Sequence, residues 1–453
     1  MKETDYVELT RPYYENATRA LQEMVRINSV YDEKSASQEK PYGQGVYDAL
    51  RYIAHLGRQF GFEVDYCDNR VTELTFGKGE RLVSVFAHAD VVPIGNDWKH
   101  APLGAEIDKG KMYGRGTSDD KGPLIASFYA IKALKDSNLI TNYRVRLVVG
   151  GDEERGSSCL AYYFHNLKKE APTYGFTPDA TFPVVYGEKG ISNFRSHLNI
   201  VLPGVIKISG GEATNSVIDQ ATVLMNTDEG FEKYLDSLKH KPVIERGNGT
   251  SKIIFKGKAA HGSTPKEGVN AGLLALEAFG KFYHNDIILK VVKAFDGFDG
   301  KPFNGRAHSK DLGETTYNVG VISYADKVLE LKVNFRYPEK VDDKALVNQF
   351  DKMSNMTSEI YSKSPVLLYP VKSPLVKTLL DAYRQESYDK KSKPLTMGGG
   401  TYAKEAPNTV AFGAVFPDDN PHMHKADERI VMNNFYLSMA IFARAIHALG
   451  NLR

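Results

Sequence analysis

Apolar residues recur along this chain at two different spacings, and the change from one to the other divides it. Near the amino terminus the spacing is helical. Residues 10–27 carry it, with Pro12 in the first turn where a missing N–H is harmless, and Val46, Leu50, Ile53, Ala54 and Leu56 carry it again before Gly61. Short apolar runs at 62–66 and 82–87 then predict strands. Helix and strand go on alternating, with a helix over 122–134, a strand over 145–149 and a helix over 158–168. Such alternation predicts an α/β sheet covered by helices, whose ligands gather at the carboxyl ends of its strands.

From about Ile191 the period shortens. Alternating runs at 194–200, 206–209, 251–257, 317–322 and 328–335 predict strands, with helices over 270–282 and 342–353. Around Pro374 the first rhythm returns, as a helix over 375–388 and a strand over 410–415. An α/β domain interrupted by an α+β module accounts for this better than three consecutive domains. Residues 1–188 and 369–453 form the first domain, and 189–368 form the insert. At 453 residues, two hydrophobic cores are the expectation on size alone.

Composition removes several function classes. With 42% hydrophobic and 25% charged residues the chain reads as globular, and 58 Lys and Arg against 56 Asp and Glu leave a net charge of only +2. No global field is expected to draw in nucleic acid or anionic lipid. The run Lys390-Lys391-Ser392-Lys393, with Tyr388 beside it, reads as a wet surface rather than a stacking groove. No apolar run approaches the about 18 residues that would cross a bilayer, and the opening Met-Lys-Glu-Thr-Asp has no apolar leader core, so the expected location is cytoplasmic. Cys67 and Cys159 form no C-x-x-C motif and are expected to be structural.

The chemistry begins where the strand over 82–87 ends, in His88-Ala89-Asp90. Residues two apart on a strand point the same way, so His88 can be a metal ligand and Asp90 the carboxylate that orients it; taken alone, a polar strand end before Pro93 is equally open. Next, Gly114-Arg115-Gly116-Thr117-Ser118-Asp119-Asp120-Lys121-Gly122 opens a helix. Its aspartates are helix caps or cation ligands, and the spacing is not that of a phosphate-binding loop. A third strand ends in Asp152-Glu153-Glu154, three acids whose crowding costs free energy unless cations or protons offset it. Asp179 follows Pro178 in a loop. Finally, Pro421-His422-Met423-His424 precedes Glu428 without the spacing of a zinc-binding helix. Together these supply imidazoles and carboxylates enough for two metals sharing one bridging carboxylate.

That ordered set resembles the M20 family of co-catalytic metallopeptidases. Tyr186-Gly187-Glu188-Lys189-Gly190, Gly210-Gly211-Glu212-Ala213-Thr214-Asn215-Ser216, Ala260-His261-Gly262-Ser263 and Met397-Gly398-Gly399-Gly400-Thr401-Tyr402-Ala403 extend the similarity to its bacterial PepV-like dipeptidase branch. The resemblance implies a two-metal aminopeptidase-like catalytic domain of α/β class with an inserted α+β lid. It makes Asp119 the bridging ligand, with Glu154 and His424 completing one site and His88 and Asp179 the other. Glu153 becomes the general base, Asp90 the residue that orients His88, and His261 the group facing the oxyanion. A substrate carboxylate falls to Arg336, Gly398, Gly399 and Gly400, with Asn215 beside it. On residue type alone, His261 equally suits a turn and Arg336 a surface ion pair. The resemblance also implies a cis Asp119–Asp120 peptide. The expected activity is hydrolysis of unblocked dipeptides, β-alanyl dipeptides included, with an N-acyl amino acid amidohydrolase as the alternative. The expected cofactors are two divalent cations, zinc first and manganese or cobalt next. An insert this long implies a monomer that supplies its own His261.

Overall fold

The structure is a computed structural model describing residues 4–452; Met1, Lys2 and Glu3, part of the stretch read above for a leader, lie outside the described residues. It separates into two compact units, each with its own apolar core. Unit 1 comprises Met1–Gly187, Leu368–Thr396 and Thr401–Arg453, and unit 2 comprises Glu188–Leu367 and Met397–Gly400.

Unit 1 is organised by parallel strands. Tyr143–Gly150, Arg81–His88, Tyr174–Thr177 and Thr409–Ala411 run side by side and parallel, with Val71–Gly77 antiparallel beyond the first of them and Glu63–Asp65 outside that. Val83, Val85, Phe86 and Ala87 are wholly buried, as a strand covered on both faces requires. One cover is the helix Lys121–Asp136, apolar on nearly every side because it lies beneath the final helix Met432–Gly450. That final helix escapes a periodicity reading for a similar reason: it is apolar along most of its length, and its few polar residues, such as Asn433, Arg444 and His447, make no continuous face to set a period.

Two expectations need correcting. Residues 410–415 are not one strand but two, Thr409–Ala411 and Ala414–Val415. Gly413 breaks them at φ 75°, against the Phe182 ring, where a Cβ would lie 2.3 Å from a ring carbon. The helix expected over 158–168 stops at His165, and Lys168 is left-handed at φ 53°.

Unit 2 is built on an antiparallel sheet in the order Val243–Arg246, Thr250–Lys256, Gln220–Asn226, Val205–Gly210, Thr316–Ala325, Val328–Tyr337, Gly190–Asn199, Thr357–Ser364. The helices Ala271–Phe282, Asp286–Ala294 and Asp343–Ser354 bury their apolar residues in the same core. Asn270, Asn285 and Asp342 cap them, each side chain accepting from a backbone N–H three residues on. The pattern leaves out the strands Gln220–Asn226, Val243–Arg246 and Thr357–Ser364 and the helices Glu229–Asp236 and Asp286–Ala294.

Candidate active site

In unit 1, three adjacent parallel strands deliver the acidic motifs to one edge. Arg81–His88 ends on His88 itself; Tyr143–Gly150 ends beside it, with Gly150 as the cross-strand partner of His88; Tyr174–Thr177 ends two residues before Asp179. Gly150 is required there, because a Cβ would lie 2.0 Å from the Tyr402 hydroxyl, which sits under the site and contacts Cys159 Sγ at 3.0 Å. The Tyr402 ring meets the His88 ring edge-on at 6.1 Å.

Asp119 stands at the centre. It lies just before the helix Lys121–Asp136, and the peptide joining it to Asp120 is cis. Its Oδ1 is 3.0 Å from His88 Nε2, and its Oδ2 is 2.8 Å from His424 Nε2. Asp179 Oδ2 lies 3.9 Å from His88 Nε2, and Glu154 Oε1 lies 3.2 Å from His424 Nε2. Two triads result, His88–Asp119–Asp179 and Asp119–Glu154–His424, each with its donor atoms within 4.8 Å of one another and each able to hold a cation.

The orientation of His88 is settled by its other nitrogen. Nδ1 is 3.0 Å from the Asp90 carbonyl oxygen, which can only accept, so Nδ1 donates there and Nε2 is left facing the Asp119 carboxylate. The Asp90 carboxylate also faces Nδ1, at 3.4 Å, and its two oxygens accept the Glu153 and Glu154 backbone N–H groups, each at 3.1 Å. Asp90 thus joins the histidine strand to the acidic loop.

The electrostatics call for positive charge. Burial drives the Glu153 carboxyl well above its ordinary value, with His88 opposing and Glu154, Asp119 and Asp90 adding to the rise; burial and Asp119 raise Glu154 as well. On Asp119 burial acts in the same sense, but hydrogen bonds from His424 and His88 outweigh it and hold the carboxyl low. Burial opposes charge on His424 too, yet Asp119 and Glu154 raise it to about 11. Glu154 Oε1 is buried, and the group it faces is His424 Nε2, a nitrogen it shares with Asp119. Crowded, buried carboxylates competing for two imidazole nitrogens form a donor set that fits divalent cations.

Two residues quoted only as motif members prove to shape this site. Glu428 is fully buried; its Oε1 accepts the N–H groups of Gly116, Ser118 and Asp119 at 3.1, 3.0 and 3.2 Å, while Oε2 pairs with Arg115 at 2.7 Å. Arg115 in turn donates to the carbonyl oxygens of Pro93, Ile94 and Lys425. One ion pair therefore ties together the loops bearing His88, Asp119 and His424. It also steadies a strained backbone, since His422, His424 and Asp427 all have left-handed φ near 55–60°. The spacing of Glu428, four residues after His424, was the only signal in the sequence.

Unit 2 brings the remaining residues together among themselves. Ser216 bridges to His261, and Gly262 N–H donates to the Asn215 carbonyl oxygen at 2.7 Å, so Asn215 and His261 lie on touching loops. Ser263 N–H donates to His261 Nδ1 at 3.3 Å, and its hydroxyl lies 2.6 Å from the same nitrogen, which places the ring proton on Nε2. Gly398 packs on Ser263, where a Cβ would lie 2.9 Å from the serine Cβ, and its carbonyl oxygen accepts from Arg336 Nη1. Gly399 and Gly400 continue that turn.

The sequence profile of peptidase family M20/M25/M40 matches residues 85–448. The chain belongs to that family. The M20/M25/M40 match spans every unit 1 motif described above, from His88 to His424, and membership makes the chain a peptidase. Among its relatives is the Bacillus subtilis protein named "Putative dipeptidase YtjP", 35% identical over 96% of this chain and 97% of that one. A similarly named protein of Staphylococcus haemolyticus is 33% identical over 95% of this chain and 96% of its own. The M20 fold is shared with human carnosine dipeptidase 1, at a TM-score of 0.59 and 14% identity over 99% and 98% of the two chains. Dug1p, a dipeptidase of Saccharomyces cerevisiae, also has a TM-score of 0.59, at 15% identity over 98% of each chain.

Proposed function

We propose that this peptidase is a two-metal dipeptidase acting on unblocked dipeptides of broad side-chain choice, β-alanyl dipeptides among them. The observation that carries this reading is the pair of ligand triads sharing Asp119. His88, Asp119 and Asp179 would hold one divalent cation, and Asp119, Glu154 and His424 the other. Zinc is the first choice and manganese or cobalt the next, because imidazole and carboxylate donors separate these ions weakly. Bound there, such cations would polarise the scissile carbonyl and lower the pKa of a water.

The chain's own groups do the rest. Glu153, its carboxyl raised by burial, is suited to take a proton from the attacking water and pass it to the leaving amine. Asp90 fixes the backbone that presents Glu153. His261, protonated on Nε2, donates to the carbonyl oxygen as negative charge develops, with Asn215 beside it. Arg336 and the Gly398, Gly399 and Gly400 turn hold the C-terminal carboxylate of the substrate. The relatives named as dipeptidases favour this over the alternative, an amidohydrolase of N-acyl amino acids. The edge strands of the unit 2 sheet carry Glu245 and Arg246 on one side and Glu359 and Lys363 on the other, charges that discourage edge pairing and favour a monomer. Two free, buried cysteines suit a reducing cytoplasm.

The deciding assay compares a free dipeptide with its N-acetylated counterpart before and after metal removal. Hydrolysis of the free dipeptide is expected to vanish on chelation and return with zinc, manganese or cobalt, while the blocked substrate stays poor. Undiminished activity in metal-depleted protein would reject the two-metal reading, and equal turnover of the two substrates would favour the amidohydrolase.

A further inference from the structure

Three asparagines stand side by side on one face of the unit 2 sheet. Asn318, Asn334 and Asn193 are direct cross-strand partners on three adjacent strands, and the first two are 0% and 2% exposed. Asparagine is poorly suited to strand interiors, and a buried amide costs free energy unless its hydrogen bonds are made. What these side chains bond to gives the row its meaning. Asn193 Oδ1 accepts from Asn334 Nδ2 at 2.8 Å, and this leaves Asn334 Oδ1 to accept from Arg336 Nε at 2.7 Å. Asn318 donates both amide hydrogens to the Thr214 and Ser216 carbonyl oxygens, at 2.8 and 2.9 Å, bracketing Asn215. Through the Ser216–His261 bridge the same amide holds the His261 loop.

We infer that this row of asparagines positions the substrate-binding groups of unit 2, Asn193 and Asn334 aiming the Arg336 guanidinium and Asn318 setting the loops of Asn215 and His261. The inference rests on the roles given above to Arg336 and His261, and concerns residues to which that reading assigns nothing. Neutrality is the point of the amide. Arg336 is 3% exposed, and burial lowers its pKa to about 10. The acceptors that meet it, Asn334 Oδ1 and the Gly398 carbonyl, are uncharged, and no carboxylate among the described residues forms an ion pair with it. An aspartate at 334 would make the same bond to Nε and neutralise the guanidinium, leaving less attraction for a substrate carboxylate. The amide fixes the direction of the fork and leaves its charge to the ligand.

The test uses the metal-loaded full chain with a free-acid dipeptide and its C-terminal amide. Asn334→Asp is expected to raise KM for the acid about tenfold, the scale of one charge-assisted hydrogen bond, with kcat and the amide little changed. Asn318→Ala is expected to act oppositely, lowering kcat on both substrates about tenfold with little change in KM. A merely structural row would move acid and amide KM together. If Asn334→Asp does not fold, Asn193→Ala tests the same link, with an expected rise in KM for the acid alone of about threefold. Arg336→Ala separates the two possible failures. If it raises KM for the acid alone while the asparagine variants do not, the positioning row is overturned; if it spares the acid, the role of Arg336 falls, and the row's with it.

Discussion

The two units prepare their functional groups by opposite means. In unit 1, Asp119, Glu153, Glu154 and Asp179 are pressed together near the ends of three strands, and the backbone that carries the first three is fastened by their N–H groups donating to the Glu428 and Asp90 carboxylates. In unit 2, one guanidinium is aimed by uncharged amides and carbonyls, and His261 is held by a serine and a backbone bridge. The first arrangement stores electrostatic repulsion among carboxylates that a bound cation would release, whereas the partners that aim the second are neutral. Unit 1 is therefore built around something that must be added, whereas in unit 2 neutral partners aim Arg336 and keep its charge in reserve.

The largest expected effect tests the first half of that contrast. Asp119→Ala removes the one carboxylate common to both triads, so it should abolish binding of both cations and lower kcat/KM at least about a thousandfold. Metal content per chain, measured alongside the kinetics, decides it; a variant still holding two ions would break the contrast. Glu153→Gln should cost less and differently. The amide cannot carry a proton, so kcat should fall about a hundredfold to ten-thousandfold with both cations retained. Loss of the cations in this variant would make Glu153 a ligand.

The same contrast governs how much could be read from the sequence. His88, Asp119, Glu154, Asp179 and His424 stood out as a ligand set through the resemblance to the M20 family, residue type alone leaving His88 a polar strand end and Asp119 a helix cap; the structure brings the five into two clusters. Glu428 and Arg115 did not stand out, because they act on loops through backbone groups that a sequence does not place. The asparagine row was invisible for a different reason: a polar residue in an alternating strand reads as solvent-facing, and only register puts Asn318 and Asn193 on either side of Asn334. Strand and helix alternation revealed the sheet of unit 1, but not the helix Met432–Gly450, whose largely apolar sequence has no continuous polar face to set a period.

Glu428 offers an intermediate test. Glu428→Gln keeps the shape that accepts the Gly116, Ser118 and Asp119 N–H groups but takes the counter-charge from Arg115, which is 2% exposed. Because it acts on the ligands through their loops, metal affinity should fall about tenfold to a hundredfold while substrate KM at saturating metal stays near wild type. Calorimetric titration of the apoprotein with zinc measures this. Unchanged affinity would mean that the loops bearing Asp119 and His424 hold their geometry without the pair.

The smallest expected effect lies in unit 2, where charge serves the fold rather than the site. Asp343 begins the helix Asp343–Ser354 and accepts from Ser192 Oγ at 2.5 Å and Lys363 Nζ at 2.7 Å, joining that helix to two strands of the sheet. Burial pushes its carboxyl up, but the bonds from Lys363 and Ser192 outweigh burial and hold it below its ordinary value. A folded-state pKa below the unfolded one means that folding releases protons in acid. The stabilisation is therefore fully present above the unfolded value of about 3.9 and is lost as the pH falls through the lowered folded value. Lys363 is 43% exposed, so solvent screens the pair and its contribution should be about 1 kcal/mol or less. Asp343→Asn should accordingly be slightly less stable than wild type at pH 7 and indistinguishable from it near pH 2, a convergence that hydrogen exchange in the helix Asp343–Ser354 can follow locally. Raised carboxyls such as Glu153 take up protons on folding, so in metal-free protein the slope near the unit 1 site should have the opposite sign over mild acid. If the difference between Asp343→Asn and wild type instead stayed constant with pH, the Asp343 carboxylate would be contributing shape alone, and the division between a unit strained by its charges and a unit fastened by them would not hold.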